Sequence, residues 1–464
     1  MRKVHSKIII WILASFGLWI TISLFACSTS STGDDIDDGT APDIVTDLAV
    51  IDFDTVSITL SWTATGDDDD VGTASSYDIR YLTYPLMWNN WDSAVQVSGE
   101  PSPQPSGSTE TFTITGLMED TTYYIALRVY DEEGNTEGIS NVVSATCVYD
   151  FTVTFPDSNL ESVIREILNK PQGDILKSEL ITIEDLSANS RDITNLNGLE
   201  HCTNLIYINM IDNNIDSLYP LADLDRLFSL NMMTNQIGDL APLASLTSLE
   251  RLYITDNQIS DISHLSGLTI LKQLSLSYNE IDDISPLSGL TALQVLSIAG
   301  NQFTDISPLS GLTDLEELYL GGNSIGDLSP LSGLTNLKWL YIEHCSIDDI
   351  SGLSGLSNLE ALKANSNIID DLSPLAGLTS LTDLDLNYNQ YIVSLDSLVD
   401  LINLNKLALR QNSITDISPL LDNSGLGTGD TIWLYENPLS QQSREDYVDT
   451  LRARGATVFV EEPE

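Results

Sequence analysis

The sequence predicts a multidomain chain: an all-β sandwich, then a β-rich solenoid with a parallel concave sheet and a convex side of short 3₁₀ or irregular turns. A small helical N-cap and an α/β C-cap close the solenoid. Three observations predict this class. Between Ala41 and Cys147, apolar and polar residues alternate in short runs broken by Gly, Asp and Pro, the period of half-buried strands. From Cys202 onward a 22-residue pattern recurs: "LTDLEELYLGGNSIGDLSPLSG" is followed at once by "LTNLKWLYIEHCSIDDISGLSG", with the leucines kept and the residues between them changed. A chain of 464 residues with 42% hydrophobic residues is too long for one small core and too apolar for global disorder.

The N-terminus is of another kind. Arg2, Lys3 and Lys7 precede an uncharged apolar run from Ile8 to Ala26, the pattern of an export signal. Its length also matches a bilayer-spanning helix. The residues that follow, Leu24-Phe25-Ala26-Cys27, resemble the lipobox of bacterial lipoproteins. That resemblance implies a signal peptide over 1–26, cleavage before Cys27 and lipidation of its thiol. Ser28 after the cysteine implies the outer membrane, with the chain facing outward. An uncleaved helix with Cys27 incidental is the alternative. Residues 27–40, rich in Ser, Thr, Gly and Asp, read as a flexible tether.

In the segment 41–148, "SITLSWTA" (57–64) places Ile58, Leu60 and Trp62 on one face. "SYDIRYL" (76–82), "TFTITGL" (111–117), "YYIALRVYD" (123–131) and "ISNVVSATC" (139–147) continue the pattern. Trp62, the "GLMEDTTY" corner with Leu117 and Tyr123, and "DEEGNTEGISN" together resemble a fibronectin type III domain. The resemblance implies a buried Trp62, a Tyr123 hydroxyl bonded back to the main chain, and a spacer or binding module. Asp67, Asp68, Asp69 and Asp70 cluster in "GDDDDVG". They are either a solvated turn or hard oxygen ligands for Ca²⁺, without the EF-hand loop pattern. No other cofactor is expected.

Segment 152–201 reads as the solenoid's N-terminal cap with a first, worn repeat. In "PDSNLESVIREILNK", Leu160, Val163, Ile164, Ile167 and Leu168 recur at three and four residues, one face of a helix opened by Pro156 and Asp157. Segment 202–439 carries the repeats. They step by 22 residues from Cys202 to Leu378, and the next begins one residue late at Leu401, the insertion falling away from the strand. The consensus, L-T-x-L-x-x-L-x-L-x-x-N-x-I-x-D-I-x-P-L-x-x, is the leucine-rich repeat signature. It closely resembles the 22-residue bacterial variety found in internalins. One unit buries too few side chains to offset the entropy of ordering it, so only the stack folds. The Asn column (Asn213, Asn279, Asn323 and their equivalents) is expected to bond loop backbone inside the stack, with Cys345 a weak substitute. Ser285-Pro286 and Ser307-Pro308 fit an N-cap and first-turn proline on the convex side. Asp283 and Asp305 read as turn formers. Segment 440–464, with a helix, Gly455 and a last strand, reads as the C-terminal cap.

Residues at alternate places to the inward leucines point onto the concave sheet. There stand Arg251, Tyr253, Tyr319, Trp339, Tyr341, Lys363, Arg410, Trp433 and Tyr435. Of seven basic residues between Cys202 and Asp422, all but Arg226 are expected on the strand segments. Exposed aromatics and scarce cations on one face are the composition of a partner site. The expected role is protein binding or adhesion at the surface of a bacterial envelope, toward a host or neighbouring-cell protein. The alternatives are glycan binding by Tyr319, Trp339 and Tyr341, and a structural envelope part. A monomer is expected.

Composition excludes other classes. With 19 Lys+Arg against 68 Asp+Glu, a net charge of −49 repels phosphate backbones, so no nucleic-acid partner is expected. Four cysteines make no dense disulfide framework. His201, His264 and His344 sit in separate repeats, and no His-Glu-x-x-His, Gly-x-Ser-x-Gly or phosphate loop occurs, so no enzyme is expected.

Overall fold

The structure, a computed structural model, describes residues 40–67, 71–148 and 150–462. The leader, Cys27 and Asp68 to Asp70 lie outside the described residues. The chain divides into two compact units, one ending at Cys147 and one starting at Val148.

In the first unit the strands are β1 (Ala49–Phe53), β2 (Ser57–Thr63), β3 (Ser76–Leu82), β4 (Val95–Gln96), β5 (Thr109–Thr115), β6 (Thr121–Tyr130) and β7 (Val143–Cys147). They form two antiparallel sheets, β1-β2-β5 and β4-β3-β6-β7. Ile58, Leu60 and Trp62 of β2 turn inward against Ile79, Ile125 and Leu127, and Trp62 meets the Tyr77 ring edge-on at 5.1 Å. The Tyr123 hydroxyl accepts the Met118 N–H at 2.8 Å and pins the corner before β6.

Two features differ from the sequence reading. The last strand begins at Val143, not Ile139. Side chains replace the ladder there: the Asn141 amide brackets the Leu48 N–H and C=O, and Ser140 Oγ accepts the Leu127 N–H. The unassigned stretch after β3 carries a 3₁₀ turn, Trp88–Ser93, whose Trp91 packs with Leu82, Leu86, Ala94 and Ala126. The Arg128 guanidinium lies 4.4 Å from the Trp88 ring and 4.5 Å from the Trp91 ring.

The second unit opens with a short antiparallel pair, β8 (Thr152–Val153) and β9 (Ile175–Leu176), around helix α1 (Ser158–Ile167). Asp157 caps the helix, accepting from the N–H groups of Asn159 and Leu160. The same carboxylate accepts from Thr194 and Asn195, tying the helix to the first coil. Leu160, Val163 and Ile164 are buried, but Ile167 on the same face is 41% exposed.

The solenoid sheet follows, thirteen strands in chain order. They are β10 (Asp185–Ser187), β11 (Tyr207–Asn209), β12 (Ser229–Asn231), β13 (Arg251–Tyr253), β14 (Gln273–Ser275), β15 (Val295–Ser297) and β16 (Glu317–Tyr319). Then come β17 (Trp339–Tyr341), β18 (Ala361–Lys363), β19 (Asp383–Asp385), β20 (Lys406–Ala408), β21 (Thr431–Trp433) and β22 (Thr457–Phe459). Every pair is parallel, and the central residues align from Leu230 through Leu252, Leu274 and onward. The inserted residue near Leu401 leaves the register intact, since Leu384 pairs Leu407. Leu252, Leu318 and their equivalents are fully buried.

The Asn column behaves as the repeat requires. Asn279 Nδ2 donates to the carbonyls of Ile254 and Leu276, each at 3.0 Å, while its Oδ1 accepts the Ile259 N–H. At Cys345 only a thiol reaches the Leu320 and Glu343 carbonyls, at 3.5 and 3.3 Å. The residue before each Asn, and before Cys345, has a left-handed backbone: Thr234 (φ 56), Tyr278 (φ 56), Gly300 (φ 65) and His344 (φ 56) are examples. At position 300 a Cβ would come within 2.8 Å of the Tyr278 ring, so the glycine spares that exposed ring a shift.

The convex turns correct one expectation. Ser285 and Ser307 are the first residues of their 3₁₀ turns, with Ile284 and Ile306 in the cap position. The capping group is the aspartate before them: Asp283 Oδ1 accepts the Ser285 N–H at 2.8 Å and Oδ2 accepts the Ser285 hydroxyl. In the C-terminal cap, a wide helical turn (Ser443–Tyr447) leads into α2 (Val448–Ala453), Gly455 (φ 101) and β22.

Candidate functional site: the concave sheet face

Leucines take one side of every strand, so the residues at strand positions one and three share the other side. In the position-three column stand Tyr253, Ser275, Ser297, Tyr319, Tyr341, Lys363, Asp385, Ala408 and Trp433. Arg410 and Tyr435 follow two residues after Ala408 and Trp433, which keeps them on that side. The residues singled out from sequence therefore share one face, in three groups.

In the first, the Arg251 guanidinium lies 5.3 Å from the Phe228 ring, whose edge meets Tyr207 at 5.8 Å. The Tyr253 hydroxyl donates to the Gln273 side chain. In the second, Tyr319 and Tyr341 occupy register partners and stack at 4.4 Å with 18° between planes. Trp339 stands in the neighbouring column, opposite Glu317 and Ala361, so the three aromatics are a tyrosine pair with a tryptophan beside it. The Tyr319 hydroxyl donates to Glu317 at 2.9 Å. Burial first, and then this carboxylate, push the Tyr319 phenol well above its ordinary range. In the third, Arg410 is wedged between Tyr388 (5.2 Å) and Tyr435 (4.8 Å) and bonds Glu436 at 2.8 Å. Trp433 stacks beside Phe459 at 6.2 Å. Between the second and third groups, Lys363 pairs Asp383 at 2.6 Å. Burial raises the nearby Asp385 carboxyl against the opposing pull of the Asn387 N–H and Lys363.

The basic residues divide more finely than the sequence implied. Lys272 and Lys338 sit one residue before β14 and β17, where each pairs an acid from the preceding coil: Glu250 at 2.8 Å and Glu316 at 2.7 Å. They are strand-entry pairs, a different column from Lys363. Sequence reasoning also missed Phe228, Tyr388 and Phe459. Tyr388 occupies the left-handed position, which no strand parity marks. Of the candidate Ca²⁺ loop only Asp67 is described, and its N–H closes the turn on the Val71 carbonyl at 2.7 Å.

The fold and this face define a leucine-rich-repeat solenoid preceded by a β-sandwich module. The family model for leucine-rich repeats (two copies) matches within residues 225–377, and the fibronectin type III domain model matches 43–146. The chain is similar to the crystal structure of an internalin (inlF) of Listeria monocytogenes. Identity is 34%, the TM-score is 0.63, and the match covers 66% of this chain and 91% of that one. Among curated proteins it is 30% identical over 170 residues to the calcium-activated chloride channel regulator 2 of Mus musculus, covering 32% of this chain and 17% of that protein. It is 34% identical over 127 residues to chitinase A1 of Niallia circulans, covering 27% of this chain and 15% of that protein. The chain thus spans less than a fifth of these curated relatives. It belongs to the internalin-like leucine-rich-repeat proteins, with a fibronectin type III domain ahead of the repeats.

Proposed function

We propose that this chain is a surface-anchored binding protein that holds a protein ligand on the concave face of its solenoid. One observation carries the reading: tyrosines, Trp339, Trp433 and the strand-borne cations gather on the side of the sheet that the leucine core leaves free. Aromatic and arginine side chains dominate interface energetics when they can be desolvated together. The ligand is a protein of a host or neighbouring cell, and the role is adhesive, not catalytic. Two carboxylates of this face, Asp383 and Asp385, are engaged by ordinary partners, Asp383 by Lys363 and Asp385 by the Asn387 N–H. Lipidation at Cys27 would fasten the chain to the envelope, with the tether and the fibronectin type III domain as spacer.

The test is a pull-down of surface proteins with the wild-type chain and with Trp339→Ala/Tyr341→Ala. The expected outcome is loss of a specific protein from the variant, with an unchanged circular dichroism spectrum. Unchanged capture by the folded variant contradicts the reading. A Cys27→Ser chain that still partitions with membranes would remove the lipid anchor alone.

A further inference from the structure

The tyrosine pair has a chemical setting that narrows the partner, if the concave face is the binding face as proposed above. Glu317 precedes Tyr319 by two residues on β16 and so shares the face of the stacked rings, while Glu343 lies in the turn two residues past Tyr341, its side chain packed against Gly321, the residue two past Tyr319. Neither forms an ion pair among the described residues. Glu317 takes only the Tyr319 hydroxyl. Glu343 lies against Gly321, where a Cβ would stand 2.7 Å from its Cδ, so the glycine makes room for the carboxylate. Its Oε2 is shut off from solvent and has no hydrogen-bond donor. The residue as a whole is only half-buried, and a half-buried carboxylate without an ion pair has a cation as its natural complement.

Nearby cations are already committed. Lys338 is held by Glu316 at 2.7 Å and Lys363 by Asp383 at 2.6 Å. The result is a stacked tyrosine pair on a face that also carries Glu317 and Glu343, neither of them ion-paired among the described residues, on a chain of net charge −49. A planar guanidinium suits both elements, stacking on an aromatic face while donating to carboxylates.

We propose that Glu317, Tyr319, Tyr341 and Glu343 form a receptor for an arginine side chain presented by a basic protein partner. The long-range negative field of the chain steers such a partner, and the tyrosine pair with its carboxylates reads it at contact.

The full chain, with ¹³C-labelled tyrosine, is titrated with the blocked tripeptide acetyl-Gly-Arg-Gly-amide and with its uncharged citrulline counterpart. Saturable shifts of the Tyr319 and Tyr341 ring signals are expected with the arginine peptide. Citrulline is expected to bind at least about tenfold more weakly, since it keeps the shape and loses the charge. Glu317→Gln/Glu343→Gln, which keeps side-chain volume, is expected to lose at least about tenfold for arginine and little for citrulline. Equal binding of the two peptides, an unchanged double variant, or no shift at these rings overturns the proposal. The broader reading separates cleanly. A protein partner lost by Trp339→Ala/Tyr253→Ala but retained by Glu317→Gln/Glu343→Gln overturns the arginine receptor and leaves the concave face standing. A partner retained by both variants overturns both.

Discussion

At Asn301 the side chain donates to the carbonyls of Leu276 and Ile298 while its oxygen accepts the Ile281 N–H, closing two coils at once. Position 345 breaks this column. The thiol of Cys345 offers a weak donor, and burial pushes it up to about 11, so it stays protonated and supplies no carbonyl-like acceptor. Cys345→Asn is therefore expected to raise stability by about 1 kcal/mol, read as a higher denaturant midpoint at constant m-value. An unchanged or lower midpoint contradicts the ladder argument. This column was legible in sequence because one residue type recurs where backbone groups need both a donor and an acceptor. The left-handed residue before it was not: Thr234, Tyr278 and His344 share no chemistry, and the register of the stack imposes their conformation against local preference.

Among elements, the caps decide how the stack begins and turns. Asp157 is buried, which pushes its carboxyl up, but bonds from Thr194, Leu160 and Asn195 outweigh this and hold it below the ordinary range. A depressed carboxyl contributes stability that is complete above its unfolded value of about 3.9 and lost as pH falls through the folded value. Asp157→Asn is expected to lower stability by about 1–3 kcal/mol at pH 7, with the gap to wild type closing toward pH 3 in denaturant titrations. A gap independent of pH contradicts the charged cap. On the convex side, bonds from Ser263 and Ser329 likewise hold Asp261 and Asp327 below the usual carboxylate range. The repeat pattern predicted the right turn there but the wrong capping residue. Ser-Pro alone fits an N-cap, while Asp283, two residues ahead of Ser285, is the group that accepts the Ser285 N–H and hydroxyl, and spacing cannot rank the two. In the sandwich, alternation marked the buried strands β2, β3, β5 and β6. It missed β1, whose residues are mostly exposed, and the Trp91 turn, which has no period to read.

For the whole molecule, stacking makes each coil depend on its neighbours. Leu318 is fully buried between coils, so Leu318→Ala is expected to cost about 2–5 kcal/mol in thermal or denaturant unfolding. A cost below about 1 kcal/mol would place that leucine outside a shared core. The same pleat that hides Leu318 turns the half-buried Tyr319 onto the concave side, which is why the residues sharing that side could be read from sequence once the register was known. The grouping on it could not. The ring stack, the Arg410 wedge and the unserved carboxylate of Glu343 depend on side-chain directions across neighbouring coils.

Oxidative footprinting of Tyr and Trp side chains, with and without a captured partner, tests the concave-face account most directly. The account predicts that Tyr253, Tyr319, Trp339 and Tyr341 lose reactivity on binding. Tyr219 and Tyr391, exposed at 64% and 54% away from the strands, should keep theirs. Protection of Tyr219 and Tyr391 with the strand tyrosines unchanged would contradict it.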